Sequence, residues 1–544
     1  MASAAVGVGF AVVAAAAGLA SGGVPAAIWR RPAISLIILT CMVATAISCA
    51  VQGLSGVPVT VEADVANGLP SFTIVGLTDR AIQEARERVR AAIRNAGFDF
   101  PQRRVTVNLA PAEVPKEGSG FDLAIAVALL RTERELPLDD VACIGELALD
   151  GGVRGVIGVL PMARRLAASG IRRLIVPADN AAEAALVEGT EVIGVESLAV
   201  AIAYLEGRLS LDPVVAPPMG ELGAPSGVDL AAIRGQSLAK RALEIAAAGR
   251  HNLLMLGPPG AGKTMLARAL AGLLPDLGAD EALEVASLYS LRGRLSDRPA
   301  TSLRPPFRAP HHSVSRAGLI GGGAGIAQPG EVSLAHRGVL FLDEVCEFPR
   351  SHLEALRQPL EERRVAVARV RASVVFPAVF VLLAAANPCP CGRLGELSGP
   401  GCRCPEAMVT RYQSRLSGPM RDRIDMIAEV PRLNGETLLS GPPEEPTARV
   451  RQRVAAAQGR QLERAGTTGV TSNALLDGDR LLDVCRLEAR GRDALTTAGE
   501  RWRLSARAYH RVLRVSRTIA DLAGEDRVSR EAVIEALQLR LPAL

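Results

Sequence analysis

Aromatic residues make up only 3% of this 544-residue chain, while Arg and Ala abound. That bias is typical of a high-GC bacterial genome and carries no functional information. Charge of one sign is also missing. Against 62 Lys and Arg stand 57 Asp and Glu, and a net charge of +5 permits nucleic-acid binding without arguing for it. Cysteine is sparse too. Of nine, four fall close together at Cys389, Cys391, Cys402 and Cys404 and the rest are scattered. This excludes a secreted disulfide framework and fits a reducing, cytoplasmic setting with one metal site. No fixed-period repeat is visible. What is present is 49% apolar and 22% charged residues, a packed globular protein of roughly three or four domains.

Residues 33–51 carry no charge and are long enough to just span a bilayer. An earlier apolar run, 4–20, is rich in Gly and Ala, and a basic n-region for a signal peptide is missing. The competing reading ends the apolar run in a buried strand, about 47–54, closed by a Ser55-Gly56 turn.

Strands are expected at 57–65, 71–75 and 104–109, an amphipathic helix at 79–96 with Ile82, Ala85, Val89 and Ile93 on one face, and a buried helix at 121–130. Pro213, Pro217, Pro218 and Pro225 mark a linker, and a Pro- and Glu-rich stretch at 436–446 marks another connector. The predicted organisation is an uncertain extension at 1–43, an α+β domain at 44–207, a linker at 208–227, an α/β core at 228–446 and an Arg-rich helical region at 447–544.

An apolar strand at 252–256 runs into Gly257, Pro258, Pro259, Gly260, Ala261, Gly262, Lys263 and Thr264, and then into a helix. This strand–loop–helix context is what a P-loop requires. Its backbone N–H groups turn toward phosphate oxygens, Lys263 reaches the β- and γ-phosphates of ATP, and Thr264 ligates Mg²⁺. A second apolar strand ends in Asp343 and Glu344, the first to hold Mg²⁺ through water and the second to polarise the attacking water. A third strand ends at Asn387, placed to orient that water. Either Arg421 or Arg423 can serve as an arginine finger, and Ser505 caps a helix that carries Arg507, Arg511 and Arg514 on one face.

The four cysteines form two C-x-C pairs, and two readings stand: a structural Zn²⁺ set, or free thiols in a turn beside the third strand. Residues 361–380 read as a hairpin whose Arg369 and Arg371 share a face. There they contact a DNA backbone or keep an exposed edge strand from aggregating.

The stretches Gly68-Leu69-Pro70-Ser71-Phe72, Val107-Asn108-Leu109-Ala110-Pro111, Phe307-Arg308-Ala309-Pro310-His311-His312, Pro329-Gly330-Glu331-Val332-Ser333, Asn387-Pro388-Cys389-Pro390-Cys391 and Leu504-Ser505-Ala506-Arg507 closely resemble the ComM/YifB family of magnesium-chelatase-like AAA+ proteins. The resemblance covers about 500 residues. It implies a Lon-protease-like (ribosomal S5 domain 2-type) domain, an AAA+ α/β core and a helical lid. It also implies a hexamer that uses ATP to drive branch migration on DNA during natural transformation and homologous recombination. By that resemblance Arg423 is the finger and Arg507 the lid sensor.

Two alternatives stand beside it. One is a chelatase-type motor remodelling a protein partner. The other is a Lon-like protease, for which Ser119 lies one residue off the nucleophile position and no Lys follows Lys116 before Lys240. Family members begin close to residue 51. On that basis residues 1–43 are upstream sequence behind a mis-set start, or else a genuine extension that keeps a membrane anchor open.

Overall fold

The computed structural model describes residues 43–76, 80–220, 227–323, 327–368, 373–395, 401–440 and 444–540. Its first principal elements are β1 (Ala44–Gln52), β2 (Ser55–Ala66), β3 (Ser71–Val75), α1 (Arg80–Asn95), β4 (Arg104–Ala110), α2 (Asp122–Arg131), β5 (Val141–Cys143), α3 (Val159–Ala168), β6 (Arg173–Pro177) and β7 (Glu191–Val195). These strands form one mixed sheet in the order β3-β4-β2-β1-β5-β6-β7.

Strand β1 shows why the apolar run near the N-terminus is ambiguous in sequence. Ala46 and Ala50 pack into the core beneath α1 and α2, while Cys49 joins Val159 and Leu166 of α3 on the other face. A strand buried on both faces reads as a continuous apolar run. Its described part is therefore sheet, paired along its whole length with β2 from Ala44↔Ala63 to Gln52↔Ser55. No described helix is long and apolar enough to cross a membrane.

Lys116, Asp122 and Glu183 are charged residues buried in this first layer. Asp122, at the start of α2, is 1% exposed and accepts from Arg88 Nε at 2.7 Å and from the Leu147 amide at 3.3 Å. Burial pushes its carboxyl up to about 6, although Arg88 opposes the shift. A raised folded-state value means that this group's contribution is complete below about pH 4 and is lost as pH rises through 6. Thermal melts of the wild type against Asp122→Asn should therefore show the wild type losing ground between those pH values. The expected loss is on the order of 2–3 kcal/mol, and parallel profiles would refute it.

The second layer holds α4 (Ser237–Gly249), β8 (Leu253–Leu256), α5 (Lys263–Leu273), α6 (Ala279–Arg292), β9 (Phe307–Arg308), β10 (Val339–Leu342), the antiparallel hairpin β11 (Arg364–Ala368) and β12 (Ser373–Pro377), β13 (Val381–Ala386) and β14 (Met426–Glu429). Apart from the hairpin, its strands form one all-parallel sheet ordered β9-β10-β13-β8-β14. Its three central strands, β8, β10 and β13, are buried nearly throughout, as a parallel sheet covered on both faces requires. Parallel register sets all the strand C-termini at one edge, so Leu256, Leu342 and Ala386 end side by side.

The C-terminal region is helical, with α7 (Thr447–Thr468), α8 (Ala506–Ala523) and α9 (Arg530–Gln538) as its main helices. It shares one apolar core with α4, through Val450, Val454, Val512, Ile519 and Val533. Ion pairs Arg241–Glu535 and Arg453–Glu244, at 2.7 and 2.6 Å, lie along the same seam. The chain is thus a mixed α/β multidomain protein with a parallel sheet and a helical C-terminal region.

Candidate nucleotide site

The loop between β8 and α5 turns at Gly260 (φ +76°) and Gly262 (φ +94°), left-handed conformations that a Cβ disfavours. Gly262 stands directly before α5, so the loop sits on the positive end of an 11-residue helix. Lys263 is buried and folds back over its own loop, donating to the Gly257 and Pro258 carbonyls at 2.7 and 2.9 Å and to Asn387 Oδ1 at 3.0 Å. Burial lowers its pKa, and the neighbouring Asp343 and Glu344 raise it in part. Thr264 Oγ1 donates to Asp343 Oδ2 at 2.9 Å. Strand order does the rest. β13 lies between β8 and β10, so Asn387 meets both the loop and the acidic pair. The cleft they enclose measures about 310 Å³ and is lined by Gly260, Lys263, Thr264, Asp343, Glu344 and Asn387.

Glu344 sits at φ +48°, ψ +47°, an uncommon conformation for a non-glycine residue, and its side chain is half-exposed to the cleft. His312 Nδ1 lies 4.0 Å from its carboxylate. The adjacent His311 and His312 have no metal-ligand spacing in sequence. The structure places His312 beside Glu344 because β9 pairs with β10, a neighbour relation that no local motif announces.

Arg423 and Arg507 do not line this cleft. Both line a second one, of about 330 Å³, together with Glu361, His510 and Arg514. Its place is fixed by Asn252, the residue before β8, whose Nδ2 donates to the Arg423 carbonyl at 2.9 Å and whose amide donates to Asp425 Oδ2 at 2.9 Å. The second cleft therefore stands at the N-terminal edge of the parallel sheet, and the P-loop at the C-terminal edge. Five residues of extended chain, about 16 Å, separate Asn252 from Gly257. Arg421 is spent locally, donating to the Leu416 and Gln413 carbonyls at 3.2 and 3.0 Å. Arg423 donates to the Pro419 carbonyl at 2.5 Å and pairs with Glu361. Ser505 caps the helix of Arg507, accepting from the Ala508 amide at 3.3 Å.

The chain is similar to known proteins over most of its length. A family model described as magnesium chelatase, subunit ChlI, matches residues 229–438. A second ChlI model matches 61–180, and one for the ChlI C-terminal region matches 444–540. Competence protein ComM of Haemophilus influenzae is 44% identical over 500 residues, covering 91% of this chain and 96% of that protein. Protein YifB of Escherichia coli is 44% identical over 498 residues, covering 90% and 96%. The chain belongs to the ComM/YifB family of magnesium-chelatase-like AAA+ proteins. A partial likeness joins this family member to the Lon protease of Rhizobium meliloti, 25% identical over 199 residues, which is 34% of this chain and 25% of that protein.

A Lon-like protease reading rests on Lys116 and Ser119. In this ComM/YifB family member the Lys116 ammonium donates to the Pro111 carbonyl and the Ser119 hydroxyl to the Glu146 carboxylate. Each is engaged away from the other. Arg369 and Arg371, the expected DNA contacts, lie outside the described residues. Strands β11 and β12, which precede and follow them in the chain, are paired with Val365 opposite Phe376.

The four cysteines are brought together. Their Sγ atoms all lie within 4.8 Å of one another, with Cys389 buried and Cys391 exposed. They form a group able to hold a metal ion.

Proposed function

We propose that this protein is a cytoplasmic, hexameric ATPase that moves DNA, a branch-migration motor of natural transformation and homologous recombination. The observation that carries the reading is the separation of Arg423 and Arg507 from the P-loop cleft of their own chain. A cation fixed at the opposite edge of the sheet reaches a γ-phosphate only on another subunit. A head-to-tail ring supplies one at every interface.

Within the cleft ATP and Mg²⁺ fit the groups present. The Thr264 hydroxyl and the Asp343 carboxylate already converge, and they would hold the ion. Mg²⁺ would neutralise charge on the phosphate oxygens. Lys263 exchanges the Gly257 and Pro258 carbonyls for phosphate oxygens. Glu344 accepts a proton from the attacking water and Asn387 orients that water. Arg423, with Arg507 beside it, stabilises the transition-state charge in the neighbouring subunit. Zn²⁺ is the ion proposed for the four thiolates.

Support for DNA as the track comes from the relative named competence protein ComM and from the basic hairpin carrying Arg369 and Arg371. The engaged Lys116 and Ser119 weigh against proteolysis, which needs an activated hydroxyl. ATP turnover with and without branched or single-stranded DNA tests the reading. DNA should raise turnover several-fold and promote assembly. Turnover and assembly indifferent to DNA would leave a chelatase-type motor acting on a protein partner.

A further inference from the structure

The thiolate group and the nucleotide cleft share backbone. Asn387, which receives Lys263, is followed two residues later by Cys389, buried to 0% exposure. The chain then turns, with the Gly392 amide donating to the Cys389 carbonyl at 2.9 Å. Gly392 has φ +76°, and a Cβ there would lie 2.2 Å from Pro259 Cδ of the P-loop. Only glycine allows this approach, so the turn carrying Cys389 and Cys391 rests directly on the phosphate-binding loop.

The sulfur geometry is that of a ligand set. Cys389 Sγ lies 3.4 Å from Cys391 Sγ and 3.6 Å from Cys402 Sγ, and Cys391 and Cys402 are 3.7 Å apart. A tetrahedral Zn²⁺ with bonds of about 2.3 Å needs sulfur–sulfur edges of about 3.8 Å. The Cys404 amide donates to Cys402 Sγ at 3.4 Å, the kind of contact that orients a metal-bound thiolate. Free thiols hold such a cluster only through weak S–H bonds, whereas a cation that displaces their protons joins four ligands rigidly.

We propose that a thiophilic divalent cation bound by Cys389, Cys391, Cys402 and Cys404 clamps the turn at Gly392 against Pro259, making nucleotide affinity depend on the metal. The clamp positions the P-loop and touches no phosphate. The inference rests on the ATP reading of the cleft, but its metal arm is read without nucleotide, so the two fail separately.

The test uses the full chain. The protein as purified should carry one Zn²⁺ per chain, and exchange for Co²⁺ should give the intense visible bands of tetrahedral cobalt thiolate. Cys402→Ser should abolish the bands and weaken binding of a fluorescent ATP analogue by roughly tenfold, the lower end of what losing a metal site's support costs. Its effect should fall on KM for ATP more than on kcat. Gly392→Ala should keep the bands yet weaken ATP binding. Should Cys402→Ser fail to fold, reversible removal of metal from the wild type replaces it, and ATP affinity should fall and return with added Zn²⁺. Absence of metal and of cobalt bands overturns the proposal, and so does ATP affinity that ignores loss of the metal.

Discussion

Glu344→Gln should lower ATP turnover by about 100- to 10,000-fold, the range for loss of a general base, while leaving ATP binding intact. The amide has the shape of the carboxylate but cannot take a proton. Position distinguishes Glu344 from its neighbour. Asp343 is already committed, to Thr264 through one oxygen and to the Glu344 amide at 2.9 Å through the other. Glu344 is held in the left-handed region with its side chain facing the cleft, free to meet water. The check is single-turnover hydrolysis beside equilibrium binding of a labelled nucleotide. A variant that turns over normally would remove Glu344 from the chemistry, and one that binds no ATP would mean that the substitution damages the cleft.

Arg423→Ala should lower kcat by about a thousandfold or more with ATP affinity kept, as expected for an arginine finger. Arg507→Ala should act in the same direction and by less, since Arg507 is exposed whereas Arg423 is anchored by Pro419 and Glu361. Arg421→Ala is the control, because the Arg421 guanidinium serves carbonyls of its own segment. The three variants compared in kcat and in nucleotide affinity decide the matter. An Arg421 effect equal to that of Arg423 would mean that the whole segment had collapsed.

How much of this was legible in sequence depends on whether a feature is local. The P-loop is contiguous because one phosphate chain must meet consecutive backbone amides, so residues 257–264 announce themselves. Asp343, Glu344 and Asn387 end apolar strands, and a parallel sheet sets all such ends at one edge. The helix at Arg80–Asn95 and the strand at Ser71–Val75 follow from simple periodicity.

Other features depend on strand order. His312 meets Glu344 only because β9 neighbours β10. Arg423 and Arg507 share a cleft only because Asn252 ties the segment before β14 to the start of β8. The same fact changes the reading of Arg507. Resemblance alone makes it a lid sensor, with nothing to say which subunit it serves, whereas its place beside Arg423 suggests action across an interface. The thiolate cluster lies between the two cases. C-x-C spacing is unusual for zinc, and only the folded turn shows the four sulfurs in reach of one ion.

A nucleotide site completed by a neighbour makes one demand that a self-contained site does not. Lys263→Ala disables a subunit's own P-loop but leaves its Arg423, and Arg423→Ala does the reverse. Each variant alone should be nearly inactive. Mixed in equal amounts and allowed to exchange, they should rebuild about one interface in four, and ATP turnover should recover to a corresponding fraction of wild type. No recovery from subunits shown to co-assemble would contradict the shared site and return Arg423 to a structural role.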